Sequence, residues 1–496
     1  MAQLTAQPFP PGTYPVVVVG SGPGGLQLSY FLQRLGVRHA TVSEDPGPGG
    51  MFRRYPLFQR LNTWSKPYAM ADRGTRPYEW YDWNSLVADA PELRSLVSQS
   101  MEGVSYFPSR GEMERGLVAF AERAGVQVRY GCRWTGTRRE GEEFVIVTSG
   151  GEYRCQMAVF AVGMAVPWKP PTPGMDDVPH YVETKPARAY AGKRVFLIGK
   201  RNSGFEVADA LLPWARQIIL GSPRPPMLSV LASGGGVRAK YLVPYEDHVI
   251  GGGVFVLEAA IERVARLAEG WCVTTAAVTG GVREFIVDEV IAATGFTTPL
   301  GDLPDLGVAT FSRGRLPRMN PFWESTTVPG IYFAGTITQG AFGLRKAGGG
   351  TGNSAAVGGF RHNAKVLAEH FAKKLGRTIE RPTLGADAVV PYLLSEATRA
   401  PELLNQKAYL ARVVSLQQSR GITDEGILPL ASFVDQSGPD AVAISVETDE
   451  HGRHHPVAYV RRERRVSEHA LPPNALLNFE GAEHQELLSG LLSGLV

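Results

Sequence analysis

The stretch PVVVVGSGPGGLQLSYFLQRLG, residues 15–36, decides the fold class. It opens with a continuous β-branched run that stops at Gly20, which predicts a buried parallel strand. Apolar residues then recur at roughly helical spacing up to Leu35, and HATVSED (39–45) follows as a second strand. G-x-G-x-x-G spacing in such a strand–turn–helix frame predicts that a dinucleotide pyrophosphate binds at the helix N-terminus. The residues predicted to hold it are Gly20, Gly22, Pro23, Gly24 and Gly25.

An acidic residue at the end of the second strand is expected to bind the ribose hydroxyls of the dinucleotide. Counting in register from Gly20 places that strand end at Ser43, with Glu44 and Asp45 directly after it. We predict Glu44 as the ribose ligand, after a shift of one residue. Without the shift, Ser43 makes a weaker contact.

A second unit of the same kind begins at Lys193. The strand VFLI (195–198) runs into Gly199, helix-forming residues follow Gly204, and RQIILGS (216–222) is the next strand. Arg201 stands where the second glycine of the motif would let the pyrophosphate pass closely. The turn is either retuned or disabled, and the planar donors of an arginine favour retuning because they can bind phosphate oxygens. The predicted ligands are Gly199, Arg201, Asn202, Ser203 and Gly204.

The position in register with a ribose acid in this second unit is Ser222, and Arg224 follows two residues later. An acidic residue there would bind the 2′-hydroxyl of NAD, whereas a serine and an arginine suit a 2′-phosphate. The sequence therefore predicts NADPH, with Arg224 as a ligand.

Three further segments read as strands that end in glycine: MAVFAVG (157–163), IVDEVIAATGF (286–296) and GIYFAGT (330–336). They predict an α/β chain in which one Rossmann-like domain is inserted into another. The first domain comprises residues 1–165 and 297–375, and the insert comprises 166–296. Residues 376–496 form an α+β extension, in which 401–418 are predicted as a helix and 441–462 as a hairpin turning at EHGR.

Composition limits the classes of function. The chain has 496 residues, 44% of them hydrophobic, and a formal net charge of +3, which gives no reason to expect a nucleic-acid partner. The N-terminus lacks the regions of a signal peptide, and no apolar run approaches the ~18–20 residues that span a bilayer. These features predict a cytoplasmic protein without a membrane partner.

Two other residue classes argue against alternative chemistries. The three cysteines form no C-x-x-C pair, which excludes a dithiol redox centre. His451, His454 and His455 lie at a polar turn without a matching cysteine or carboxylate spacing, so no metal site is predicted. The basic run 461–465 is predicted to be an exposed face.

These features resemble the two-dinucleotide flavoproteins, specifically the flavin-containing (class B) monooxygenases. Within that group, the chain is most similar to the branch of FAD-dependent oxidoreductase-domain proteins of endoplasmic-reticulum quality control and their bacterial relatives. The resemblance spans about residues 15–370 and rests on YFLQRLGV, RRYPLFQRLNTWSKPY, DWNSLVADAPELR, NSGFEVAD, IYFAGTITQG and GGFRHNAK.

The resemblance implies that the first turn binds FAD and that two further segments lie along the isoalloxazine ring. One segment contains Gly50, Met51 and Phe52, and the other is the loop Asn62–Lys66. Monooxygenases of this type often carry an asparagine where this chain has Ser65, whose hydroxyl can still donate a hydrogen bond. The strand exits add Ala161, Gly163, Gly335 and Thr336 to the implied FAD site.

Arg345 and Lys346 precede the last helix of the FAD domain, whose N-terminus faces the flavin pyrimidine edge in related folds. A cation there would stabilise the negative charge of the reduced ring. The alternative interpretation, that both residues are ordinary surface cations, fits the sequence equally well. The candidate catalytic residues are thus Ser65, Asn62, Arg345 and Lys346. Gly174 has no histidine four residues later, so the fingerprint of Baeyer–Villiger enzymes is absent.

The predicted function is an FAD-dependent, NADPH-using monooxygenase. It would oxidise a nitrogen, a sulfur or an electron-rich carbon of a small metabolite with dioxygen, through a flavin C4a-hydroperoxide. One alternative is a flavin oxidase or dehydrogenase with a vestigial nicotinamide site. Another is a flavoprotein without catalytic activity that binds a partner.

Overall fold

The computed structural model describes residues 7–55, 58, 60–229, 236–341, 343–344, 352–417 and 421–495. The chain divides into two compact units. The first unit consists of Met1–Arg53, Thr63–Gly163 and Thr298–Val496, and the second consists of Arg54–Asn62 and Met164–Thr297.

The strands are described in chain order. The first fourteen are β1 (Gly12–Thr13), β2 (Val16–Val19), β3 (His39–Val42), β4 (Trp134–Glu140), β5 (Glu143–Thr148), β6 (Gly151–Cys155), β7 (Met157–Phe160), β8 (Val166–Pro167), β9 (Arg194–Ile198), β10 (Gln217–Ser222), β11 (Val254–Arg266), β12 (Trp271–Ala277), β13 (Val282–Val287) and β14 (Glu289–Ala292). The next ten are β15 (Phe296–Thr297), β16 (Thr310–Phe311), β17 (Leu316–Pro317), β18 (Ile331–Phe333), β19 (Thr383–Leu384), β20 (Leu410–Gln417), β21 (Gly421–Pro429), β22 (Ala441–Thr448), β23 (His454–Arg462) and β24 (Arg465–Ala470).

The α-helices are α1 (Pro23–Arg34), α2 (Leu96–Gln99), α3 (Arg110–Arg123), α4 (Asn202–Leu211), α5 (Val243–Ile250), α6 (Val357–Lys374), α7 (Val389–Arg399), α8 (Pro401–Asn405), α9 (Leu430–Asp435) and α10 (Ala482–Leu492). Short 3₁₀ turns include Gly50–Arg53 and Gly335–Gly340. Within the described ranges, no helix is both long enough and apolar enough to cross a bilayer.

The nucleotide-binding core of the first unit is a parallel sheet in the order β18-β7-β2-β3. The four valines of β2 are fully buried or nearly so, as the β-branched run predicts, and Val19 pairs with Phe160 of β7. Helix α1 follows β2 directly and packs against α6. The strands predicted at 157–163 and 330–336 and the first βαβ unit are therefore confirmed.

The second unit repeats this arrangement. Its sheet has the order β13-β12-β11-β10-β9-β14, in which β14, β9, β10 and the start of β11 run parallel. Helix α4 follows β9 as α1 follows β2. The prediction of a chain with two Rossmann-like βαβ units is confirmed.

The C-terminal part of the first unit is an antiparallel sheet in the order β19-β21-β20-β22-β23-β24. The predicted hairpin is present as β22 and β23. The prediction of one helix over 401–418 is wrong beyond its first turns, because the chain leaves α8, passes Ala408 at φ +55° and enters β20. The β-branched pair Val413-Val414 suits a strand between two partners better than a helix.

Arg461 corrects the prediction that 461–465 form an exposed face. Its side chain is buried, stacks on the Phe433 ring at 4.0 Å and donates hydrogen bonds to the carbonyl oxygens of Phe433, Gln436 and Pro439. Only the residues after it, 462–465, are exposed. Arg461 lies on the same face of β23 as Val457 and Tyr459, which pack in one cluster with Phe433, whereas Arg462 is the last residue of the strand.

Arg76 links the C-terminal sheet to the rest of the first unit. Its guanidinium forms ion pairs with Glu396 at 2.6 Å and with Glu402 at 2.9 Å, and Arg412 joins the same network through Glu396. These carboxylates are mostly buried, so the network is a fixed internal contact and not a solvated surface pair.

Candidate cofactor-binding site

The first glycine turn is packed so tightly that three of its glycines are required by the protein itself. A β-carbon on Gly20, which has φ +115°, would lie 2.5 Å from the carbonyl oxygen of Ala161. A β-carbon on Gly25 would collide with the carbonyl of Gly20, and one on Gly24 would collide with the backbone of Gly335. The turn therefore packs against the ends of β7 and β18, and Ala161 and Gly335 lie directly beside it.

Gly22 is different, because no packing contact requires it to be glycine. Its backbone is extended (φ −70°, ψ 179°), and the nearest described atom to a β-carbon there would be Cα of Gly50 at 3.9 Å. No other described atom lies within 4 Å of that β-carbon position, which is at the N-terminus of α1, where backbone N–H groups have no partner within the helix. A glycine that the protein does not need, facing such an N-terminus, fits a dinucleotide pyrophosphate.

The acidic residue beside this turn is Asp45, which corrects the prediction of Glu44. Glu44 is exposed, whereas Ser43 is buried and accepts a hydrogen bond from Ser21 Oγ at 2.8 Å. The same Ser21 hydroxyl lies 3.4 Å from Oδ2 of Asp45. Because β3 ends at Val42, the chain turns at Ser43 and brings the second following carboxylate back to the glycines.

Ser65 is fully buried, and both of its hydrogen-bonding roles are used within the protein. Its hydroxyl donates to Asp82 Oδ1 and accepts from Asn84 Nδ2 at 3.1 Å. Thr63 Oγ1 donates to Asn84 Oδ1 at 2.6 Å. The structure thus gives Ser65 a positioning role in a pinned loop. Asp82 and Asn84 were missed by sequence reasoning, although DWNS (82–85) was among the resembling segments.

Arg361 anchors the segment 79–85, which carries these partners. The guanidinium is completely buried and donates to the carbonyl oxygens of Glu79, Asp82 and Ser85, each at 2.6 Å. Trp64 and Trp83 pack with ring centroids 4.6 Å apart on the same two segments. Residues 63–66 and 79–85 therefore form one hydrogen-bonded, largely buried wall.

The other predicted flavin contacts take varied positions. Gly50, at φ +56°, faces Gly22 across the turn, and Met51 and Phe52 follow it half-buried in a 3₁₀ turn. Gly163 and Thr336 are half-buried, and the Lys66 side chain is exposed. Asn62 is half-buried and belongs to the second unit. Arg345 and Lys346 lie outside the described residues.

The second glycine turn repeats the packing of the first. A β-carbon on Gly199 (φ +127°) would collide with the carbonyl of Ala293, and one on Gly204 would collide with the carbonyl of Gly199. Arg201 precedes α4 with an extended backbone (φ −117°, ψ −167°), as Gly22 precedes α1, and its side chain is exposed. An L-residue adopts this backbone without strain.

Asn202 is a predicted ligand in this turn, but its side chain forms hydrogen bonds within the protein. Its amide donates to the Gly236 carbonyl at 3.3 Å, and its Oδ1 accepts from the Arg238 N–H at 2.9 Å. Only its backbone is left for a cofactor. Ser203 is half-buried at the first turn of α4, and Arg224 is exposed beyond the end of β10.

Burial argues against thiol redox chemistry at each of the three cysteines. All three are buried and unpaired, and burial raises the pKa of Cys155 to about 12. A protonated, inaccessible thiol is neither a nucleophile nor half of a redox pair.

The family model for pyridine nucleotide-disulphide oxidoreductases matches residues 17–335. The chain belongs to this family. This is a family of flavin-dependent oxidoreductases whose members bind FAD and NAD(P)H, so the prediction of two dinucleotide cofactors is confirmed.

Named relatives agree with the predicted resemblance. FAD-dependent oxidoreductase domain-containing protein 2 of Danio rerio is 32% identical over 223 residues, which cover 43% of this chain and 31% of that protein. This chain thus spans about a third of the length of that relative. A ferredoxin–NADP reductase of Salinispora tropica is 28% identical over 369 residues, 72% of this chain and 95% of that protein. A solved flavin monooxygenase from Stenotrophomonas maltophilia shares the fold, with 19% identity, 73% and 99% coverage and a TM-score of 0.55.

Proposed function

We propose that this protein is an FAD-dependent, NADPH-using monooxygenase that oxidises a nitrogen, a sulfur or an electron-rich carbon of a small metabolite. The first unit would hold FAD and the second unit would hold NADPH. The domain division at 166–296 and a separate role for 376–496 stay predictions.

The observation that carries the proposal is the pair of matching glycine turns together with the lack of a thiol pair. Two sites of the same construction suit an electron donor and a flavin. Because the cysteines cannot carry electrons onward, the acceptor must be a molecule that reacts with the flavin directly. Bound FAD would supply the hydride acceptor and the oxygen-activating ring.

The protein's own residues would supply binding and exclusion of water. Backbone N–H groups at the start of α1 would hold the pyrophosphate, and Asp45 would accept hydrogen bonds from the ribose hydroxyls. The wall formed by 63–66 and 79–85 would shield the ring edge, because Arg361 and Asp82 leave it little freedom to move. Exclusion of water is what an oxygen-transferring flavoprotein needs to avoid wasting reduced cofactor.

Anaerobic mixing of the purified holoprotein with NADPH or NADH tests the electron donor. The flavin absorbance should bleach faster with NADPH, and Arg224→Ala should erase the preference. Aerobic turnover with a panel of amines and thioethers under ¹⁸O₂ then tests oxygen transfer. Incorporation of one ¹⁸O atom per NADPH supports the proposal, whereas rapid bleaching with release of hydrogen peroxide alone across the panel contradicts it.

A reductase that passes electrons to a protein carrier is the second candidate. It is favoured by the 28% identity to a ferredoxin–NADP reductase over 95% of that protein. Reduction of a ferredoxin by NADPH without oxygen, at a rate that exceeds NADPH consumption in air, would establish this candidate in place of the monooxygenase.

A further inference from the structure

Lys200 occupies the second position of the glycine turn in the second unit. Its side chain is only 3% exposed, and its ammonium nitrogen has no hydrogen-bond partner among the described residues. A buried ammonium group without a partner is costly and persists where something compensates for it.

The surroundings show on which side of the turn the ammonium lies. The equivalent position in the first turn is Ser21, whose hydroxyl reaches the end of the next strand at Ser43. Burial lowers the pKa of Lys200, and the Glu258 carboxylate opposes this by raising it. Glu258 of β11 pairs with Ser222, the last residue of β10, so Lys200 is directed towards the end of β10.

We infer that Lys200 binds the 2′-phosphate of NADPH and is required, together with Arg224, for the preference for NADPH over NADH. The inference rests on the proposed function, because it assigns a residue within the same nicotinamide site. The adenosine ribose of a dinucleotide lies beyond the end of the strand that follows the glycine turn, which here is β10 at Ser222. A 2′-phosphate would add a doubly charged acceptor group there, next to the ammonium group of Lys200.

This arrangement also explains why Glu258 does not pair with Lys200 directly. Glu258 is exposed and solvated, whereas the flexible four-carbon stem of a lysine lets the ammonium move to a phosphate without backbone movement. Arg224, exposed two residues beyond Ser222, can bind the outer face of the same phosphate. The buried lysine and the exposed arginine would thus enclose it.

Calorimetric titration of the FAD-loaded protein with 2′,5′-ADP and with 5′-AMP tests the inference without turnover. Wild type should bind 2′,5′-ADP at least tenfold more tightly than 5′-AMP. In Lys200→Met, we expect 2′,5′-ADP to bind roughly 10- to 100-fold more weakly, the loss of one charge-assisted bond. Binding of 5′-AMP should not change. Lys169→Met, which removes an ammonium group bound to the Asp176 carbonyl in the same unit, is the matched control and should bind both ligands like wild type.

Thermal unfolding without nucleotide supplies a second measurement. Because Lys200→Met removes an uncompensated charge, its melting temperature should equal or exceed that of wild type, which rules out misfolding as the cause of weaker binding. An equal loss of affinity for both ligands, or unchanged binding of 2′,5′-ADP, would overturn the inference and leave the proposed function standing. Wild type that binds neither ligand and whose flavin is bleached by neither NADPH nor NADH would overturn the proposed function itself.

Discussion

Gly22→Val should separate FAD binding from folding, because a β-carbon on Gly22, unlike one on Gly20, Gly24 or Gly25, would collide with no described atom. The extended backbone at Gly22 is allowed for valine, and the nearest described atom to the new β-carbon is Cα of Gly50, at 3.9 Å. That distance is an ordinary van der Waals contact. The apoprotein should therefore keep its stability to within about 1 kcal/mol.

FAD retention should be lost in the same variant, because the valine methyl groups would occupy the space of the pyrophosphate. A ligand present at about 1,000 times its dissociation constant stabilises the native state by about 4 kcal/mol. Wild type saturated with FAD should accordingly unfold at higher urea concentration than its apoprotein, while added FAD should not move the transition of Gly22→Val.

Gly25→Val is the matched control, since its β-carbon would collide with the carbonyl of Gly20 and separate α1 from β2. This change should destabilise the apoprotein by more than about 4 kcal/mol, the range of severe core disruption. Urea unfolding followed by far-UV circular dichroism and the flavin-to-protein absorbance ratio provide both readouts. A Gly22→Val protein that retains stoichiometric FAD, or an apoprotein as unstable as Gly25→Val, would refute the reasoning.

Three further changes test other parts of the structure. Arg361→Met leaves three buried carbonyl oxygens without donors and should lower the free energy of unfolding in urea by at least about 3 kcal/mol. A decrease under about 1 kcal/mol, or one no larger than that of Lys365→Met on the same helix, would contradict this. Burial raises the pKa of Glu79 to about 7, against an ordinary 4.5. Between these values the unfolded chain is ionised and the folded one is not, so wild type loses stability as pH rises. Glu79→Gln should therefore be more stable by up to about 3 kcal/mol at pH 8 and gain nothing below pH 4.5, and a gain independent of pH would exclude this cause. Arg201→Ala should raise the NADPH dissociation constant about tenfold by fluorescence titration, and an unchanged constant would show that Arg201 does not bind phosphate.

The fold could be predicted from the sequence where the signal is local. The β2–turn–α1 segment and β9–turn–α4 each carry their pattern within some twenty residues, so periodicity and glycine spacing suffice. Residues 401–418 were mispredicted because long-range pairing of β20 with β21 and β22 outweighs a helical pattern that really ends at Asn405. Pairing partners of this kind are not visible in a window of the sequence.

In the candidate site, too, the sequence predicts local features and misses contacts between residues that are distant in the sequence. Glu44 and Asp45 are adjacent in the sequence, and only the turn of the chain at Ser43 decides which of the two carboxylates faces the glycines. Ser65 could be located by resemblance, but its partners Asp82 and Asn84 are 17 and 19 residues away and saturate its hydroxyl. Lys200 carries no sequence signal, since a lysine beside a turn is usually solvated.

Arg201 shows how a departure from a motif can be judged once the packing is known. Gly199 and Gly204 each meet a carbonyl that excludes any larger residue, so the turn has kept the two glycines that the protein needs. The one position that has changed is the one that faces outward, at an extended backbone that any residue adopts. A turn that binds no ligand is under no constraint to keep its conformation. Here the exposed Arg201 and the buried Lys200, whose ammonium has no hydrogen-bond partner among the described residues, place two cations where a phosphorylated cofactor would lie. This combination argues for a retuned nicotinamide site, because a buried ammonium group without a hydrogen-bond partner among the described residues is costly unless an anion binds beside it.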